Sequence, residues 1–314
     1  MKKMEEEIDL YFFRCYDEDK YDQRRVKMKK ILASLMMVGL IFCLGGCNVP
    51  WMKQKTEKTK AAKVIQDIPG IANTSAQADK VEGTMKGMKL KVGVSNDMAP
   101  FSYYDSEQKK ITGFDIDLLD KLSEYLGFEY ELYPMNMKKL EQKIKNKELD
   151  LAIAGISITD ERQREFSFTD TYYETYLQIV VRKDSQITDR KEITEKKVGV
   201  VEGTSSAQYA EDYLSEDNKI TYYKNITKVW NDLEKGTIDA TIYDTTGIQN
   251  YMKEHADNTN LSVLNEQLNS EESNYGIMFV KGYKYLDQFN VALQVLNNDG
   301  TYQKLKEQWI KTKE

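Results

Sequence analysis

Two short patterns each occur twice in this chain, and in the same order. Lys91-Val92-Gly93-Val94 returns as Lys197-Val198-Gly199-Val200, and Asp150-Leu151-Ala152-Ile153 is echoed by Asp239-Ala240-Thr241-Ile242. The first pattern reads as an apolar strand ending in a small or polar turn, and the second as a strand that follows an amphipathic helix. One tetrapeptide match is weak, but two in order suggest two lobes, each with a similar βαβ arrangement. With 314 residues, 40% of them apolar, the chain can fill one large core or two moderate ones.

The intervening segments fit that division. Asp115 to Leu126 carries Ile116, Leu119, Leu122 and Leu126 on one helical face, with Gly127 as the stop. Leu140 and Ile144 predict a second helix, and Val229, Trp230 and Leu233 a third. The chain crosses between lobes twice, outward along the apolar stretch 176–182 and back along 274–280, and two crossings make a hinge. Closing helices are expected over 283–297 and 301–310. The lobes are then 88–175 with 274–314, and 176–273.

The N-terminus reads as an address. Lys27, Lys29 and Lys30 precede an uncharged run from Ile31 to Leu44, which at helical rise spans about 21 Å, short of the roughly 30 Å hydrocarbon core. The run ends in Leu44-Gly45-Gly46-Cys47, which resembles the bacterial lipobox and implies cleavage before Cys47 and its lipidation, for example by palmitate. The competing reading is an uncleaved anchor extending through Val49 and Trp51. Met1 to Arg25 is too acidic for the start of a signal peptide, so translation is expected to begin at Met28, and 1–46 divides into an upstream extension, 1–27, and the signal peptide. Residues 47–87 then form a lipidated cysteine and a flexible tether reaching about 35 Å.

Composition excludes several chemistries. The formal charge of -6 has no basic stripe alternating with aromatics, so nucleic acid is not expected as a partner. His255 is the single histidine, and Cys15, Cys43 and Cys47 all lie near the N-terminus and form no metal-like cluster. No metal, disulfide, cofactor or catalytic triad is therefore expected. No P-loop pattern is present.

The most chemically pointed block is Leu149 to Tyr173. A buried strand ends at Ala154 and Gly155, Ser157 adds a hydroxyl, and Arg162 offers a planar fork of donors suited to a carboxylate. The plainer alternative makes Arg162 one solvated charge beside Asp160, Glu161 and Arg164. In the second half, Gly203-Thr204-Ser205-Ser206 lies between a strand and a helix, where free N–H groups favour an anion, although Thr204 or Ser205 could simply cap the helix.

The blocks 111–119 (ITGFDIDLL), 154–173 (AGISITDERQREFSFTDTYY), 198–210 (VGVVEGTSSAQYA) and 238–244 (IDATIYD) together resemble the extracytoplasmic solute-binding proteins of polar amino acid ABC importers, over residues 89–312. The resemblance implies an α/β, two-lobe periplasmic-binding-protein (Venus flytrap) fold with a two-strand hinge, closing on one amino acid. It implies that Arg162 pairs with the ligand α-carboxylate, aided by backbone N–H groups near Ser157, Thr204 and Ser205. Asp244 would accept the α-ammonium with the Gly155 carbonyl and the Ser157 hydroxyl; alone, Asp244 could be only a helix N-cap. Ser95, Met98 and Met137 would set specificity with Tyr243. Many members carry an acid where Ser95 stands and aromatics where the two methionines stand, so a glutamine-like or sulfur-containing uncharged ligand is favoured over a cationic one. The protein is then a monomeric, non-enzymatic lipoprotein on the outer face of the bacterial cell membrane, delivering its ligand to a permease driven by a separate ATPase. Competing readings are a cyclohexadienyl dehydratase-like enzyme using Glu202 as an acid, and a ligand-sensing module for a separate receptor.

Overall fold

The repeated tetrapeptides build the same corner twice. In the computed structural model, which describes residue 78 and residues 80–310, the chain begins with β1 (Lys89–Val94), β2 (Asp97–Met98), β3 (Ser102–Asp105), β4 (Lys110–Thr112), α1 (Phe114–Leu126) and β5 (Glu129–Pro134). It continues through α2 (Met137–Lys145), β6 (Leu151–Ala152), α3 (Asp160–Glu165), β7 (Phe166–Phe168), β8 (Leu177–Arg182), β9 (Lys197–Val201), α4 (Ser205–Leu214) and β10 (Lys219–Tyr223). It ends with α5 (Ile226–Glu234), β11 (Ala240–Asp244), α6 (Thr245–Glu254), β12 (Leu261–Val263), β13 (Met278–Val280), α7 (Leu286–Asn298) and α8 (Thr301–Trp309). The described residues all lie within one unit of the chain, Ala62–Glu314. The leader, Cys47 and most of the tether are outside the described residues.

One five-stranded sheet has the order β5-β1-β6-β13-β7 and the other β10-β9-β11-β8-β12. β1 lies parallel between β5 and β6, as β9 lies between β10 and β11. The repeated glycine has a steric cause. A Cβ on Gly93 would meet Leu140 Cδ2 at 2.4 Å and one on Gly199 would meet Ile238 Cδ1 at 2.4 Å, so glycine makes the room into which a neighbouring side chain packs. The repeated aspartate has a hydrogen-bonding cause. Asp150 accepts the Lys91 N–H at 2.7 Å and Asp239 accepts the Lys197 N–H at 2.8 Å, tying each central strand to the residue just before its neighbour.

α1 has the predicted buried face, and it stops at Gly127, whose left-handed φ of 83° lets its N–H reach the Ser123 carbonyl. It packs with Phe289, Leu296 and Leu305 of the closing helices in the first lobe's core, whereas Val198, Val200, Ile242 and Ala210 centre the second lobe's. Full burial of side chains this size stabilises by roughly 1.5–3 kcal/mol each. The residues just before the outward crossing pair with the returning segment, the Tyr275 N–H donating to Tyr173 O at 2.8 Å and the Tyr172 N–H to Tyr275 O at 2.9 Å.

The tether expected over 47–87 is too long at its C-terminal end. Met85 is wholly buried in the first lobe's core, and its N–H and that of Gly83 donate to the carbonyls of Leu126 and Tyr125 at 2.9 Å each. One methionine every few residues gives no helical or strand period, so the sequence offered no sign of this docking.

Candidate functional site

Arg162 is not a solvated charge. Thr159 caps α3, its hydroxyl accepting the Arg162 N–H at 3.2 Å, and the helix turns Arg162 inward to 8% exposure while Asp160, Glu161 and Arg164 stay exposed. The guanidinium donates from Nε to Glu141 Oε1 at 2.8 Å, from Nη1 to Ser157 O at 3.0 Å and from Nη2 to Gly203 O at 2.8 Å. Three of the five N–H groups of an arginine are thereby committed, which fixes the plane of the fork and leaves two for a ligand. Glu141 and Ser157 belong to the first lobe and Gly203 to the second, and Arg162 lines a cavity of about 760 Å³ between them.

Gly155 and Ser157 sit on the loop after β6. Gly155 has φ 56°, and a Cβ there would meet Met98 Cε at 2.9 Å, so the turn and the close approach of Met98 both require glycine. The loop is held by a residue that sequence reading treated only as part of a helix. Asp115 is wholly buried on α1, accepting the Gly155 N–H at 2.8 Å and the Tyr172 O–H at 2.9 Å. Burial pushes its carboxyl up to about 7, against the pull of those two bonds. An acid among the buried positions of an otherwise apolar helical face was the available signal.

The second lobe closes onto this loop. Ser157 Oγ and Ser205 Oγ are 2.9 Å apart, as are Tyr173 Oη and Thr246 Oγ1, while the Tyr243 O–H donates to Met98 Sδ at 2.9 Å. Thr204 does cap α4. Its hydroxyl accepts the Ala207 N–H at 3.2 Å and donates to Val201 O at 2.8 Å, so it is the backbone at Thr204 and Ser205 that is left to face an anion.

Asp244 occupies the N-cap position of α6, yet its side chain makes no capping bond. The carboxylate is 5% exposed, and Oδ1 has no hydrogen-bond partner. Burial raises it from the ordinary 3.8 to about 6, with the Tyr275 hydroxyl and Arg162 pulling the other way. A buried carboxylate so poorly compensated costs stability, and it is suited to receiving a cation.

The remaining expected residues divide. Met98 packs against the cores of both lobes and against Tyr243, at the seam where a side-chain pocket was expected. Met137 instead packs with Leu140 and Ile144 in the first lobe. Ser95 donates its hydroxyl to Asp97 Oδ1 at 2.9 Å, and Asp97 Oδ2 accepts the Ile226 N–H at the start of α5, 3.3 Å away across the lobes. Asp97, two positions after Ser95, is a site residue the sequence motifs did not single out, since its role depends on the contact with α5. Glu202 lies at the cleft mouth, 3.8 Å from Lys138, with its side chain about a third exposed.

Residues 90–312 match the family described as bacterial extracellular solute-binding proteins, family 3. The chain is 30% identical over 242 residues to the arginine-binding extracellular protein ArtP of Bacillus subtilis, covering 77% of this chain and 91% of that one. It is 29% identical to the L-cystine-binding protein TcyJ of Escherichia coli, over 76% of this chain and 91% of the other. An ancestral arginine-binding protein solved with arginine superposes with a TM-score of 0.67 at 32% identity, covering 72% of this chain and all of that one. These relatives are binding proteins of two-lobe fold rather than enzymes. A buried arginine and a buried acid on opposing lobes of that fold, with the match along almost the whole described chain, lead to one conclusion: this chain belongs to the bacterial extracellular solute-binding proteins of family 3.

Proposed function

We propose that the protein captures a polar L-amino acid between its lobes and delivers it to the permease of an ABC importer. The observation that carries this reading is the pair of incompletely satisfied, oppositely charged groups, Arg162 on the first lobe and Asp244 on the second. Stripping water from both ends of a zwitterion costs several kcal/mol per unpaired ion, so a site that encloses one must offer a counter-charge to each. Arg162, with backbone N–H groups at Thr204 and Ser205, takes the α-carboxylate; Asp244, with the Gly155 carbonyl and the Ser157 hydroxyl, takes the α-ammonium. A ligand bridging the lobes stabilises the closed form in proportion to its preference for that form over the open one.

Met98, Tyr243 and Ser95 line the side-chain end of the cleft, with Met137 as a more distant contributor. Ser95 argued against a cationic side chain, but Asp97 lies 2.9 Å from its hydroxyl and restores a carboxylate to that corner. The relatives named for arginine and cystine support testing both classes. Cleavage before Cys47 and its lipidation would tether the lobes to the outer face of the membrane, with translation starting at Met28. Isothermal titration against L-arginine, L-cystine, L-histidine, L-glutamine and the other L-amino acids tests the reading. Binding of at least one is expected, lost in Arg162→Ala and in Asp244→Ala; no binding, or full binding by both variants, overturns it.

A further inference from the structure

Tyr172, Tyr173 and Tyr275 form one aromatic cluster at the crossing of the two lobes, with Tyr275 stacked on Tyr173 at 5.8 Å and set edge-on to Phe101 at 5.0 Å. Their hydroxyls differ in a telling way. That of Tyr172 donates to Asp115, and that of Tyr173 lies 2.9 Å from Thr246 Oγ1. Tyr275 is wholly buried and its hydroxyl has no partner. It faces the Asp244 carboxylate closely enough that the hydroxyl and carboxyl groups shift each other's pKa, yet beyond the reach of a full hydrogen bond, and Asp244 Oδ1 is itself unpartnered. Two adjacent buried polar groups left open are rare in a packed interior. The ring accounts for the packing, which a phenylalanine would supply equally; the hydroxyl adds only an unsatisfied group, unless something enters to satisfy it.

We propose that Tyr275 is a binding residue of the ammonium subsite: its oxygen accepts one N–H of the ligand's primary α-ammonium while its own hydrogen turns to Asp244 Oδ1. This rests on the amino-acid reading above. A primary ammonium carries three hydrogens, and Asp244, the Gly155–Ser157 loop and Tyr275 then supply one acceptor direction each. The subsite selects primary over N-alkylated amines, because an Nα-methyl group replaces a hydrogen that Tyr275 would otherwise receive.

The test is a cycle between protein and ligand. Wild type and Tyr275→Phe are titrated with L-arginine, L-cystine, L-histidine and L-glutamine, and with the Nα-methyl derivative of whichever binds tightest. Tyr275→Phe is expected to weaken the primary amine by about 10- to 100-fold, the range for loss of a hydrogen bond to a charged group, and to weaken the methylated derivative by a clearly smaller factor. Equal weakening of both, or none, overturns the proposal, since Tyr275 would then act only through Asp244 or not at all. If wild type binds none of the four and none of the other L-amino acids, the amino-acid reading falls and takes this proposal with it; if it binds another, that amino acid and its Nα-methyl derivative are carried through the same cycle. The unliganded melting temperature of Tyr275→Phe should change little, because the hydroxyl holds no full hydrogen bond in the unliganded form. Should that variant fold poorly, Tyr275→Leu, which also lacks the hydroxyl, is carried through the same cycle.

Discussion

Replacing Asp244 by asparagine should stabilise the unliganded protein while destroying its binding. The unfolded carboxyl ionises near 3.8 and the buried one near 6. Between those values the unfolded state has released its proton and the folded state has not, so stability falls as pH rises, and the full cost is present above about 6. Two pH units correspond to about 3 kcal/mol. An amide in the same space escapes the ionic cost but remains poorly bonded, at about 1–3 kcal/mol, so the expected net gain at pH 7.5 is about 1 kcal/mol. For a domain of this size that raises the melting temperature by about 2–4 °C, and the gain should vanish by pH 4. Binding should move the other way. Leaving a ligand ammonium buried without its counter-charge costs about 3–5 kcal/mol, or at least a hundredfold in affinity. Calorimetric melting of both proteins across pH 4–8, with titration of the best-binding amino acid at pH 7.5, measures each effect. An Asp244→Asn protein that is less stable than wild type at pH 7.5, or that binds as well, refutes the reasoning.

Asp115 should behave similarly but act on structure: with its carboxyl at about 7, wild-type stability is lost as pH rises from about 4 to 7, and Asp115→Asn should flatten that slope in pH-resolved denaturant melts. Gly203→Ala should impair closure more than folding, because its Cβ would lie 3.2 Å from the Lys138 backbone nitrogen across the lobes and φ is 76°; X-ray scattering with and without ligand should show a more open mean form. Arg162→Lys, which keeps the charge but not the fork held by Glu141, Ser157 and Gly203, should weaken binding at least tenfold by titration. Thr246→Val should remove the bond to Tyr173 and shift the unliganded protein toward the open form by about 0.5–1.5 kcal/mol, readable as faster ligand release.

Much of the fold was legible because its causes are local. Two repeated strands, a helix ended by Gly127 and two crossings follow from spacing and from glycine at one left-handed position. The KVGV and Asp repeats report two lobes because a glycine opens room for a side chain and an aspartate holds a central-strand N–H, in both halves. The two charged candidates, Arg162 and Asp244, were legible as well, since a fork of donors and an acid suit the two ends of the zwitterion proposed as ligand. What the sequence could not decide is which polar groups end up without partners. Thr204 and Asp244 both stand at helix starts, yet the first spends its hydroxyl on capping and the second does not cap at all. Nor could spacing reveal that Met85 docks in the core, that Asp97 backs Ser95, or that Tyr275 alone among its neighbours keeps an open hydroxyl. Those outcomes depend on how separate elements pack against one another, as Asp97 does against the start of α5 at Ile226, and only the packed chain determines them.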